Sequence, residues 1–496
     1  MALMGIDLGS SGCKAVVFDE TGTVLSSAQA PYSAKYEGSF VEMDPEAAYA
    51  AFVSAVKEAA GSCDQTVQAL AIASHGESYI PVDANNKAVG NYIMNADNRA
   101  TEQSDKMEAV LGAEDIYYRC GAPIHPMFAL MKIMWQKEHS VGAARYLGFA
   151  DYIACRLGLG TVTDYSLASR FMGFDVAGRC WSQWFLDAAG VAESELPVPV
   201  QAGTPIGALS EQVAATLGLP VGTIICAGGH DQPCGALGAG VIKGGNAGIS
   251  AGSYECIAVS SDEPLCTKKA YGYKLNSYCH VVPEKYVTLA FSPGALVVQW
   301  FVEQFCVSDA QEAQKSGISV YEFLNEKAST VPHPTGVCVT PHLVGACNPN
   351  WDVRATTVMA GLTPSVSRHA VYKSIFEGIA CELALNARAI GEVAGEIGEF
   401  LISGGGANYP FSVELRAALT GKPISRLKTS EAVCQGAAML AGIGAGVFKD
   451  CSQAVESMVS TVSKILPSAD LAKQYRVQTE RYATLFDGLS AFREIR

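Results

Sequence analysis

The opening of the chain restricts its fold more than any other stretch. Met4-Gly-Ile-Asp-Leu8 alternates like a strand, Gly9-Ser10-Ser11-Gly12 makes a tight turn, and Cys13-Lys14-Ala-Val-Val-Phe18-Asp19 returns. Period-two patterning on both sides of a glycine turn predicts a β-hairpin, and a second turn at Glu20-Thr21-Gly22 predicts a third strand. An aspartate at a strand end, followed by glycine and small hydroxyl residues, lets backbone N–H groups approach a phosphate closely. Asp7 through Gly12 fits that description. Lys14, just beyond the turn, is placed to add positive charge against phosphate oxygens, and Asp7 to hold a magnesium ion through water. An ordinary glycine hairpin looks the same, so the motif needs support from elsewhere.

That support comes from Gly228-Gly229-His230-Asp231-Gln232, which follows a short strand over Thr223–Ala227 and precedes the small residues Cys234-Gly235-Ala236-Leu237-Gly238. Such a carboxylate can face a cleft. Phosphoryl transfer to an alcohol needs a positioned carboxylate to accept the hydroxyl proton, and charge to stabilise the moving phosphoryl group. Asp231 is the expected base; His230 is given no part in the mechanism.

Between and after these motifs, strands alternate with helices. Asp44-Pro45 supplies an N-cap and an N1 proline for a helix carrying Phe52, Val56 and Ala59 through Ala60, and a strand follows over Val67–Ser74. In the second half, Glu399–Ser403 reads as a buried strand entering Gly404-Gly405-Gly406, with a helix carrying Phe411, Leu415 and Leu419 next. Another helix is expected to open at Thr363-Pro364, its wide stripe of Val371, Ile375, Ile379 and Leu383 implying burial on more than one side. Hairpins followed by alternating helices and strands predict an α/β fold with mixed sheets. At 496 residues the chain exceeds one ordinary core. The glycines at 238, 240, 244, 245 and 248 mark the junction, giving domains over 1–243 and 244–496.

Composition removes several function classes. A net charge of −14 with no Lys/Arg run gives nothing to neutralise a nucleic-acid backbone or an anionic bilayer, so neither is an expected partner. The 16 cysteines form no C-x-x-C pair or zinc-spaced cluster, which points to scattered thiols in a reducing compartment. Met1-Ala-Leu-Met4 runs directly into the first strand with no basic n-region, and the weakly polar stretch Ala437–Phe448 is too short to span a bilayer, so a cytoplasmic location is expected. A homodimer is the default expectation for such an enzyme.

The same residues resemble the FGGY carbohydrate kinase family over nearly the whole chain. Gly5 to Lys14 is similar to its first phosphate motif and Met131 to Glu138 to its first signature. Thr163 to Arg170, Phe174-Asp175, Leu196-Pro197 and Gly228 to Asp231 follow in order. Gly361-Leu362, Phe376 to Ala380, Gly404 to Asn408, Glu431 and Gly436 to Gly442 complete the set. The resemblance implies two ribonuclease-H-like domains of the actin, hexokinase and Hsp70 type, with ATP in the interdomain cleft. It implies that Asp7 and Asp231 flank Mg2+, and that Gly9, Ser10, Ser11 and Lys14 face the phosphates. Gly252 and Ser253 occupy the second phosphate loop, where Tyr254 and Glu255 replace the usual Ser-Gly. Gly294 falls near the nucleotide, and Gly405, Gly406 and Asn408 at the adenosine motif.

For the acceptor, a small sugar, the resemblance implicates His75, Glu77, Asp97, Arg99, Asp231 and Gln232. Glycerol kinases carry arginine where Gly76 stands, and a tyrosine near Met127 or Phe128, so glycerol fits poorly. Xylulokinases share features of His75-Gly76, Asp97 and Arg99, which favours a pentulose or similar ketose, with other polyols and sugar acids as alternatives. A structural salt bridge is an equal reading of Asp97 and Arg99. Two rivals are an actin- or Hsp70-like ATPase switch and a sugar sensor without turnover.

Overall fold

The computed structural model describes residues 1–139 and 142–495. Its first sheet begins with the expected hairpin, β1 (Ala2–Leu8) and β2 (Gly12–Asp19), extended by β3 (Val24–Pro31). Helix α1 (Pro45–Gly61) starts where Asp44 accepts a hydrogen bond from Glu46 N at 2.9 Å, and it leads to β4 (Val67–Ser74). After a long excursion the chain returns as β5 (Pro205–Ala208) and β6 (Ile224–His230), then α2 (Asp231–Gly238). The spatial order is β5-β6-β4-β1-β2-β3, with β1, β4 and β6 parallel and the rest antiparallel to their neighbours.

The second sheet repeats this pattern. A hairpin of β7 (Asn246–Ala251) and β8 (Tyr254–Ser261) precedes β9 (Asn276–Cys279) and β10 (Tyr286–Pro293). Helix α3 (Arg368–Ala394), β11 (Glu399–Ser403), α4 (Pro410–Thr420) and β12 (Ile424–Leu427) follow, then α5 (Ala432–Gly444) and β13 (Thr461–Ile465). The order is β9-β10-β8-β7-β11-β12-β13, again with a parallel centre (β7, β11, β12) flanked by antiparallel strands. Helix α3 does not begin at Thr363-Pro364. Its cap is Ser367, whose hydroxyl accepts from Ala370 N, while Thr363 O instead closes a turn with Val366 N.

The first sheet is covered on one face by α1, through Phe52 and Val56, and on the other by α5, through Ala437, Ala438 and Ala441. Helix α5 therefore belongs in space to the first lobe although it lies late in the chain. It sits this close because glycines meet it. A Cβ at Gly5 on β1 would overlap the Cys434 carbonyl, one at Gly238 that of Ala432, and one at Gly436 that of Cys234. The second sheet packs against α3 and α4 through Leu383, Ile390, Val413 and Ala417. Among the described residues no helix is long and apolar enough to cross a membrane. All sixteen cysteines are free thiols.

The helix crossing is testable. Gly436→Ala forces the two backbones apart and should destabilise the protein by about 1–3 kcal/mol or more, read as a lower urea midpoint. Gly61→Ala, where nothing lies within 4 Å of the added methyl, should leave the midpoint unchanged or raise it.

Candidate active site

The carboxyl ends of the parallel strands deliver the chemistry. In register, Asp7 of β1 lies beside Ala73 of β4, and His230, the last residue of β6, lies beside Ser74. Asp231 is consequently the first residue of α2, over the same sheet edge as Asp7. Ser250 of β7 pairs with Ser403 of β11 at the matching edge of the second sheet. The two edges face each other across one cleft that holds two cavities. A smaller one of about 180 Å³ is lined by Asp7, Asp231, Gly252, Ser403, Gly404 and Glu431 among others. A larger one of about 550 Å³ is lined by His75, Glu77, His125, Arg170, Lys274 and Trp351 among others. Asp231 and Gln232 line both.

Acidic groups crowd the junction. Burial raises Asp7 to about 6, helped by the charge of Glu431. Burial raises Asp231 to about 8, with further contributions from Asp7 and Glu77. His230 is pushed down to about 3 by burial and is neutral. Its Nδ1 is hydrogen-bonded with the Tyr278 hydroxyl at 2.6 Å, the donor being set by the ring tautomer, and its Nε2 faces Asp231. That Nε2 lies 3.1 Å from Asp231 Oδ1 but off the line of a hydrogen bond, so this buried oxygen has no donor. An unpartnered buried carboxylate oxygen at the meeting point of two cavities is poised for a ligand.

The floor of the larger cavity is a buried ion pair. Arg170 Nε meets Glu77 Oε1, Arg170 Nη1 reaches Asn276 Oδ1 at 3.2 Å, and the guanidinium lies over the rings of Phe128 and Tyr278. Burial works to raise Glu77, but Arg170 holds it below its usual range. His125 Nδ1 accepts from Met127 N at 3.1 Å, which leaves Nε2–H as its donor. Above stand Tyr254, Tyr271, Phe291 and Trp351, from residues after the first sheet.

Sequence profiles of the FGGY carbohydrate kinases match twice, the N-terminal domain over residues 2–238 and the C-terminal domain over 247–445. The chain belongs to the FGGY family of carbohydrate kinases. It is 27% identical over 484 residues to a gluconokinase of Bacillus subtilis (96% of this chain, 93% of that one). It is 26% identical over 485 residues to a xylulose kinase of Staphylococcus epidermidis (95% and 94%). The crystal structure of a ligand-bound xylulose kinase from Lactobacillus acidophilus superposes with a TM-score of 0.89 at 22% identity, covering 99% of this chain and 98% of that one. The protein is thus an ATP-dependent sugar kinase, and the two-lobed α/β fold is the family's.

Within this FGGY kinase the residues singled out from the sequence divide into those at the cleft and those engaged elsewhere. Asp7, Asp231, Gln232, Gly252 and Gly405 line the smaller cavity. His75 and Glu77 line the larger one. Ser10 and Ser11 are exposed at the hairpin tip, beside Gly9, whose N–H donates to Gly12 O at 3.0 Å. Lys14 does not stand open toward phosphate. Its Nζ is 2.6 Å from Glu431, a residue of the cavity wall. Gly294 packs under the second hairpin, where a Cβ would meet the Gly252 carbonyl at 2.6 Å, and its N–H bonds Ser253 O. Gly406 abuts Ala251, and Asn408 is exposed, accepting from Arg426 at 3.4 Å.

Asp97 and Arg99 lie outside the cavity walls. Asp97 is fully buried and accepts from Val41 N and Arg99; Arg99 also pairs with Glu42 at 2.6 Å and lies over Phe40 and Trp135. A carboxylate removed from water needs such a partner, which is why the pair is internal. Asn95, two positions earlier, is the residue of that loop that reaches the cavity. Buried Lys132, pulled down to about 7 by burial, fixes the loop by donating to Met94 O at 2.7 Å. Tyr254 faces the larger cavity, and Glu255 is turned inward to a buried pair with Arg416, so the substituted second loop adds no free charge to the cleft.

The raised Asp231 has a stability consequence. A carboxyl at 3.8 when unfolded and about 8 when folded binds more protons in the folded state, so its contribution is full below the lower value and is lost as pH rises toward 8. In protein free of nucleotide and divalent cation, Asp231→Asn should therefore gain on the wild type between pH 5 and pH 9 in urea-denaturation midpoint. An equal difference at both pH values would contradict the burial of this carboxylate.

Proposed function

We propose that this kinase transfers the γ-phosphoryl group of ATP to a hydroxyl of a small, open-chain polyhydroxylated acceptor, with Asp231 accepting the hydroxyl proton. The supporting observation is that Asp231 lines both cavities and keeps one buried oxygen without a donor. ATP extends along the smaller cavity, over Gly252 and Gly404-Gly405, where glycine backbone admits phosphate. The acceptor occupies the larger cavity, with one hydroxyl at Asp231. As its oxygen bonds to phosphorus, the proton passes to Asp231 and ADP leaves.

Asp7 and Asp231 suit Mg2+. They are two hard oxygen donors, buried close enough for each charge to disfavour the other, and a divalent cation relieves that repulsion. When bound, the ion offsets negative charge on the phosphoryl oxygens. Glu77, held charged by Arg170, accepts hydrogen bonds from acceptor hydroxyls, and His125 Nε2–H and Asn95 supply further polar contacts. The ketose reading drew on His75-Gly76 with Asp97 and Arg99. With the last two engaged in their own ion pair, His75 alone supports it, and a sugar acid stands beside a ketose as acceptor class.

The test is ADP release from magnesium ATP with ketoses, polyols and sugar acids. Acceptor-dependent release is expected. Asp231→Asn should lower kcat by roughly 10²–10⁴-fold with little change in acceptor affinity. ATP hydrolysis indifferent to every acceptor would favour the ATPase switch, and acceptor binding without ADP release the sensor.

A further inference from the structure

The larger cavity holds a cation that the chemistry at Asp231 does not use. Lys274 lines it, half-buried, with its ammonium 4.1 Å from the centre of the Tyr271 ring. A ring face holds a cation without cancelling its charge. Among the described residues Lys274 makes no ion pair, in contrast to the other strong cation of this cavity: Arg170 is committed to Glu77 and Asn276. Of the carboxylates in the wall, Glu77 is neutralised by Arg170, Asp231 stands at the phosphoryl end, and Glu108 is exposed. Lys274 is therefore the cation of the acceptor site that no ion pair engages among the described residues, the exposed Glu108 at the rim being the wall's other unpaired charge.

Its backbone is held against its own preference. Lys274 has φ +54°, in the left-handed region that a side chain with a Cβ enters at a cost. Asn348 secures it, donating through Nδ2 to the carbonyls of both Tyr273 and Lys274 at 2.8 Å, while Asn348 Oδ1 accepts from Phe291 N, itself in the cavity wall. Glycine would relieve this strain, so a lysine here points to use of its side chain.

Resting on the kinase reading above, we infer that the acceptor is a sugar acid whose carboxylate is bound by Lys274, at the end of the molecule away from the hydroxyl presented to Asp231. A single ammonium with neutral donors nearby, such as His125 Nε2–H, matches a monoanion. A phosphate dianion would call for a guanidinium free to form two bonds, and Arg170 is occupied. A neutral ketose would offer this half-buried ammonium no counter-charge.

The experiment measures kcat/KM by ADP release for D-gluconate, D-glucitol and D-xylulose, with the wild type, Lys274→Gly and Lys274→Arg. Gluconate should exceed both neutral acceptors in the wild type. Lys274→Gly, whose backbone suits φ +54°, should fold and should lower the gluconate-to-xylulose ratio by about 10- to 100-fold, mainly through KM for gluconate. Lys274→Arg should restore part of that ratio. Wild-type preference for xylulose or glucitol would overturn the inference and leave the kinase reading intact, as would a Lys274→Gly variant with an unchanged ratio. Absence of acceptor-dependent ADP release with all three, in an enzyme that binds ATP, would overturn both.

Discussion

The close crossing of α5 over β1 and α2 is the constraint on which the cleft depends. Gly5, Gly238 and Gly436 let three backbones touch where any side chain would separate them. Helix α2 starts at Asp231, and the first turn of α5 carries Ala432 and Val433, next to Glu431, all in the wall of the smaller cavity. The distance between the Asp231 carboxylate and the far wall of that cavity is thus fixed by helix packing. Close-packed interiors transmit such a displacement with little relaxation. The same contact explains why a helix late in the chain completes the core of the first sheet.

Around this frame the charges form a chain of compensated and uncompensated groups. Lys14 answers Glu431, Arg170 answers Glu77, Arg416 answers Glu255, and Arg99 answers Asp97. Among the described residues Asp7, Asp231 and Lys274 make no ion pair with a fully charged partner. Buried ion pairs give little net stability but fix geometry. The groups left over are the ones a ligand can satisfy. Under the proposed reading, the two carboxylates suit a divalent cation with phosphate, and the Lys274 ammonium of the larger cavity suits an anionic acceptor.

Local signals were legible and distant partners were not. The hairpin, α1 with its Asp44-Pro45 start, and β4 over Val67–Ser74 follow from patterns within a few residues, and the structure has them in place. Asp231 could be found because a strand ending in glycines before a run of small residues puts a side chain at a sheet edge. Thr363-Pro364 misled because an equally good cap, Ser367, stands nearer the apolar stripe. The fates of Lys14, Asp97 and Glu255 turn on Glu431, Arg99 with Glu42, and Arg416, and two of these three lie far away in the chain. The acceptor wall is assembled from segments around 75, 95, 125, 170, 254, 274 and 351, so no window of sequence displays it.

Three residues of that wall are left-handed, Glu77 at φ +63°, Lys274 at φ +54° and Trp351 at φ +50°; the two charged ones, Glu77 and Lys274, approach it from opposite lobes of the molecule. Neither is a residue type that favours this backbone region, and each is held there by specific bonds, Glu77 by Arg170 and Lys274 by Asn348. Strain maintained at two points of one cavity fixes where charge is presented before the acceptor arrives, which lowers the ordering cost of binding. Arg170 links the two sides through Asn276, so the placement of the Glu77 carboxylate is tied to the strand that follows Lys274. The larger cavity is in this sense already shaped, while the smaller one keeps two carboxylates, Asp7 and Asp231, that disfavour each other's charge.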